Sequence, residues 1–142
     1  MRDFLFSYLT PQNLMPLVRI DLIEGRTEEE LTALSDTIQE VMISHFAAPK
    51  LDKYQIIHEH RPGQIRALDT GLGYPRTHKL VVLQITQQGR TSAQKQAMYA
   101  AMSARLALLG IPTTDLIISV TENTQADWSF GLGRAQFLEG DL

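Results

Sequence analysis

The sequence predicts an α/β (α+β) domain, a tandem β-α-β repeat with a four-stranded sheet and two helices on one face. Three observations carry that prediction. A strand–helix–strand pattern occurs twice in one chain of 142 residues. Both helices open on the same capping signal. Each helix is long enough to cross over between two parallel strands.

The first unit begins with a strand over 17–23, where Leu17, Arg19 and Asp21 alternate with Val18, Ile20 and Leu22. Such alternation marks a half-buried strand. Gly25-Arg26-Thr27 follows, and Thr27 with Glu30 makes a capping box. The helix then sets Leu31, Leu34, Ile38, Val41, Met42 and His45 along one stripe until Ala47-Ala48-Pro49 stop it. Pro49-Lys50-Leu51-Asp52 leads into a second strand over 54–60. The second unit repeats the plan with a strand over 80–86 and Gly89-Arg90-Thr91, Thr91 and Gln94 forming the box. Its helix has a thinner stripe of Ala97, Met98, Ala101, Met102, Arg105 and Leu109. Gly110 and Pro112 end it, and Pro112-Thr113-Thr114-Asp115 opens a strand over 116–121.

A glycine-rich connector, with Arg61-Pro62-Gly63 and the run 69–77, joins the units. The tail from Glu122 carries Trp128, Phe130 and Phe137, too apolar for a disordered terminus. With both helices on one face, the other face of the sheet is expected to carry alternating apolar residues and to be covered by self-association, as a homotrimer or related ring.

Composition narrows the function. The chain is 44% hydrophobic and 20% charged, with net charge −3 and pI near 5.8. It lacks the basic excess of a nucleic-acid binder. It has no cysteine, hence no disulfide, thiol nucleophile or thiolate metal site. No apolar run approaches the roughly 18–20 residues of a membrane span, and a cytoplasmic protein is expected. Residues 1–15 read as an amino-terminal extension, either a small packing segment or a stretch ahead of a true start at Met15. The single domain then covers 16–142.

That boundary matters because Pro16 follows Met15 directly. Removal of a starting methionine would leave a free secondary amine, able to act as base, cationic acid or iminium former. Inside a chain the same nitrogen is an amide and Pro16 is merely a strand-edge proline.

A proline start, the stretch 21–27 with Glu-Gly-Arg-Thr, an amphipathic helix and the β-α-β duplication resemble the tautomerase superfamily, whose members use an amino-terminal proline. Residues 60–63, 69–74, 126–131, 133–135, 137–138 and 140–142 are similar, within that superfamily, to the malonate semialdehyde decarboxylases. The resemblance runs from Pro16 to the end. It implies a catalytic Pro16 assisted by Asp52 and by an arginine pair flanking a proline. Here that segment reads Gln88-Gly89-Arg90, so Arg90 matches one arginine and Gln88 replaces the other. Pro75 also stands where those enzymes have glycine. Arg26 resembles an arginine with which 4-oxalocrotonate tautomerase holds its substrate.

The implied activity is decarboxylation of a small oxo acid, by carbonyl polarisation or an iminium, without metal or organic cofactor. Keto–enol tautomerisation or hydration of 2-oxo acids is the alternative. A non-catalytic oligomeric domain is the reading if Pro16 is not the terminus. Asp52 would organise charge or water, or is a turn aspartate like Asp115. Arg90 or Arg26 would grip a carboxylate, or is a surface arginine paired with Glu24, Glu28 or Asp21. Gln88 would orient that carboxylate without charge, which predicts weaker binding or a changed substrate. Trp128, Phe130 and Phe137 (with Leu142) would wall the pocket, or pack the tail on a neighbouring subunit. His58 and His60 share one strand face with no acidic or cysteine partner at a recognised metal spacing, and read as structural.

Overall fold

The computed structural model describes residues 16–142; the extension expected over 1–15 lies outside them. The elements are β1 (Leu17–Ile23), α1 (Glu28–Phe46), β2 (Gln55–His60), β3 (Val81–Gln88), α2 (Ser92–Ala107), β4 (Leu116–Asn123) and the short α3 (Gln136–Glu139). Single 3-10 turns lie at Thr113–Asp115 and Gln125–Asp127. The sheet order is β2-β1-β3-β4. β1 pairs with β2 and β3 with β4 in parallel, as the crossover helices require. β1 and β3 pair antiparallel, so the two units meet through their first strands in an approximate two-fold arrangement.

Local chemistry explains each helix. Both capping boxes form: Glu30 N–H donates to Thr27 Oγ1 and Thr27 N–H to Glu30 Oε1, with Thr91 and Gln94 doing the same. Three acidic residues, Glu28–Glu30, occupy the first turn of α1, where the helix dipole favours negative charge. The α1 turn-off uses Ala47 at φ +53°, and the equivalent turn after α2 uses Gly110 at φ +86°.

Val18, Ile20, Leu22, Val81, Leu83 and Ile85 face the helices and meet Leu34, Ile38, Met42, Met98, Met102 and Leu106 in one core. Fully burying each such side chain contributes roughly 1.5–3 kcal/mol. The α1 stripe holds through Met42, but His45 is exposed and Phe46 takes the inward position. A helical turn is 3.6 residues, and the last inward slot falls one residue later than a 3–4 count assigned it. In α2, Leu106 is the buried end residue; Leu109 lies past the helix and is exposed. β3 and β4 each run two residues further than expected.

The open face of the sheet differs from expectation. Leu17, Ile56, Val82 and Ile117 are apolar, but Arg19, Asp21, His58, His60, Gln84, Ser119 and Thr121 stand among them. The reason is the register, which lines up the polar alternates of all four strands. Among the described residues, no helix is long and apolar enough to cross a membrane.

Candidate active site

Strand direction decides what can meet. Because β3 and β4 run against β1 and β2, the starts of the first pair share one end of the sheet with the finishes of the second. Leu17 pairs with Thr86, so one step further Pro16 falls opposite Gln87. Pro16 is buried. Val18 N–H donates to Tyr54 O at 2.9 Å, bringing the 49–54 turn and Asp52 to this end. Gln88 pairs with Asn123 at the finish of β4, where the tail begins.

The tail folds back on this end through its aromatic rings. Trp128 and Phe130 stack at 5.3 Å, Phe137 meets Phe130 edge-on at 5.5 Å, and Phe130 lies 5.7 Å from Tyr54. Gln136 Nε2 donates to Gly131 O, and Phe130 N–H donates to Gln136 Oε1, which fixes the turn.

Arg90 is 9% exposed. Its Nη1 donates to Gln88 O (3.1 Å) and Gly89 O (3.0 Å), its Nη2 to Phe46 O (2.5 Å), and the guanidinium sits 5.5 Å from the Phe46 ring centroid. Burial holds its pKa below the usual arginine value. Burial also pushes the Asp52 carboxyl up. Several buried polar atoms at this end have no hydrogen-bond partner among the described residues: Gln88 Nε2, Arg90 Nε and Trp128 Nε1 as donors, Asn123 Oδ1 as acceptor, and both amide atoms of Gln87. Unpaired buried polar atoms are costly and rare. Here they are donor-rich, which suits an anionic or carbonyl-bearing guest.

Pro16, Asp52, Gln88, Arg90, Trp128, Phe130 and Phe137 thus gather at one end of the sheet. Arg26 does not: it follows the finish of β1, at the opposite end. There Arg26 Nη2 donates to Lys79 O at 2.9 Å, beside a cavity of about 150 Å³ lined by His78, Lys79, Leu109 and Gly110. Burial lowers its pKa too.

Two features escaped the sequence reading. Gln87 falls one residue past the expected strand, so nothing marked it as buried. Asp21 is the acidic neighbour that His58 and His60 lacked by linear spacing; parallel pairing sets it beside both.

Known proteins share the sequence and the fold of this chain. Two family models described as "Tautomerase enzyme" match residues 52–131 and 16–73. The chain belongs to the tautomerase family. The probable tautomerase YrdN of Bacillus subtilis (strain 168) is 50% identical over 129 residues, 90% of this chain and all of that one. YusQ, another probable tautomerase of that strain, is 37% identical over 127 residues, 88% of this chain and all of that one. A crystal structure of malonate semialdehyde decarboxylase, studied for its decarboxylase and hydratase activities, superposes with TM-score 0.84 at 41% identity. It covers 89% of this chain and 98% of that one. The four-stranded mixed sheet with two principal helices is the tautomerase fold. Within this tautomerase, the end of the sheet that holds Pro16 also holds the buried arginine and the aromatic tail.

Proposed function

We propose that this tautomerase-family chain is an amino-terminal-proline enzyme that decarboxylates a small oxo acid, with Pro16 as the catalytic amine. The observation that supports the reading is the gathering of unpaired buried donors, Gln88 Nε2, Arg90 Nε and Trp128 Nε1, at the sheet end where Pro16 lies. Arg90 has given both Nη atoms to backbone carbonyls, so its charge and its Nε remain for a carboxylate. Gln88 adds a neutral donor. Trp128, Phe130 and Phe137 exclude water and strengthen those contacts.

In the decarboxylation, protonated Pro16 donates to the carbonyl oxygen of a 3-oxo acid. The bond to the carboxylate carbon breaks, carbon dioxide leaves, and the electron pair flows into an enol. The enol then takes a proton from water at carbon and returns its hydroxyl proton to Pro16, which gives the carbonyl product and restores the cation. An α-amino group titrates at roughly 7.7–8.0, so its surroundings select the state. A charged Asp52 would favour the cation and apolar burial the neutral amine.

Gln88 favours a second reading, keto–enol tautomerisation or hydration, in which neutral Pro16 moves a proton beside the carbonyl. The curated relatives carry the probable-tautomerase description. Gln88→Arg separates the two: a gain of tenfold or more in malonate semialdehyde turnover supports the decarboxylase, and no gain favours the tautomerase. The fused 4-OT structures, at 19–22% identity, are described as trimers. With the open sheet face here, they support a trimer, which sedimentation tests.

The whole reading requires a free Pro16. Intact mass of the protein made from its native start region tests this directly. A mass beginning at Pro16 supports it. A mass that retains residues 1–15 overturns it for that form and leaves a non-catalytic oligomeric domain.

A further inference from the structure

On the open face of the sheet, β1–β2 pairing places Asp21 beside His58 and Ile23 beside His60. Asp21 Oδ1 lies 2.7 Å from His60 Nε2 and 3.9 Å from His58 Nδ1, and the three ligand atoms all fall within 4.8 Å of one another. The two imidazoles stack at 4.4 Å with a 29° tilt, presenting nitrogen to the same carboxylate. Asp21 lies five steps along the chain from Pro16, roughly 17 Å at the rise of a β-strand.

We propose that Asp21, His58 and His60 form a binding site for a divalent first-row transition cation, separate from the proline end of the sheet. Two imidazoles and one carboxylate are the donor set that Zn²⁺, Co²⁺ or Ni²⁺ takes. A cation held at about 2.0–2.2 Å from each donor sets its ligand atoms roughly 3–3.5 Å apart. Small rotations of three side chains reach that from the observed spacings. The pleat makes the geometry possible: residues 58 and 60 point to one face, and the neighbouring parallel strand supplies Asp21 to the same face.

Arg19 shows what the cluster attracts. Its Nε lies 2.9 Å from Asp21 Oδ2, and its Nη2 lies 3.2 Å from Asp21 Oδ1 and 3.0 Å from His58 Nδ1. The guanidinium therefore stands against two of the three donors as a positive charge. In the single chain its side chain is 44% exposed, so it can swing away from the donors. A metal ion replaces one cation by another that the donors bind directly, and Arg19 is its competitor.

Cobalt(II) titration of the untagged chain, followed by its visible ligand-field bands and by displacement with Zn²⁺, tests the site. One equivalent should bind. His58→Ala and His60→Ala should each weaken binding at least tenfold, while His45→Ala, exposed on α1 across the sheet from the cluster, leaves it unchanged. Arg19→Ala should tighten binding several-fold, a gain that misfolding cannot produce. Absence of saturable binding in both the native chain and Arg19→Ala overturns the proposal. So does binding that survives both His58→Ala and His60→Ala.

Discussion

The two β-α-β units follow one local plan and finish differently. Each has a strand, a Gly-Arg-Thr turn, a boxed helix and an aspartate before its second strand. Their first strands pair antiparallel, so the head of each unit meets the arginine turn of the other. Pro16, at the first head, shares its end of the sheet with Arg90; Lys79, just before the second head, receives Arg26. The aspartates diverge as well. Asp115 is fully buried and accepts from Thr77 N–H at 2.8 Å and from Thr77 Oγ1, tying the connector to β4. Asp52 remains half-buried. The two units thus give two similar ends, and on the proline-amine reading only the end that holds Pro16 would offer an amine.

The sharpest way to break this comparison is at the heads. On the proline-amine reading, Pro16→Ala should lower kcat/KM by about 10²-fold or more, the scale of a lost general acid or base. Leu80→Ala, its counterpart, should instead lower thermal stability, since Leu80 is buried against the core. Equal losses of activity in steady-state assays would remove the distinction between the ends.

The arginines come next. Arg90→Ala should cost about 10- to 100-fold in kcat/KM, chiefly through KM, as expected for a charged hydrogen bond of about 1.5–3 kcal/mol. Arg26→Ala should cost less than tenfold. A comparable loss for Arg26 would mean that the site takes that side chain from another copy of the chain.

Asp115→Asn and Asp52→Asn compare the aspartates. The first replaces a buried acceptor of two hydrogen bonds and should destabilise by about 1–3 kcal/mol in urea unfolding. The second should change stability less and activity more.

The smallest effect is at the helix ends. Ala47 occupies the left-handed conformation that its counterpart Gly110 adopts without a Cβ. Ala47→Gly should therefore raise stability, by about 1 kcal/mol at most, because relief of strain is partly offset by chain entropy. Differential scanning calorimetry would read it.

Much of this frame was legible because its signals are local. Thr27 with Glu30 and Thr91 with Gln94 mark helix starts by a contact between near neighbours, and both formed. The β1 limits, Leu17–Ile23, also follow from alternation within seven residues. What stayed hidden depends on partners distant in sequence. Asp21 meets His58 and His60 only through inter-strand register. Gln87 and Gln88 are polar residues that alternation would place in a loop, yet pairing carries β3 through both. The polar open face had the same origin, since no single strand reveals how its neighbours' side chains align. Gathering the proline, arginine and aromatic tail at one end required the antiparallel join, which neither repeat contains.

Among the described residues, the order β2-β1-β3-β4 also leaves the sheet two free margins, and these bear on solubility. A margin strand offers unpaired backbone groups to any other extended chain. On β4, Glu122 is held by Lys95 at 2.6 Å, so charge guards that side. On β2, Ile56 is 50% and Ile57 39% exposed, with His58 and Glu59 next to them. Along β2, then, two adjacent isoleucines make the adhesive stretch, and the polar residues beside them are what oppose uncontrolled growth of the sheet.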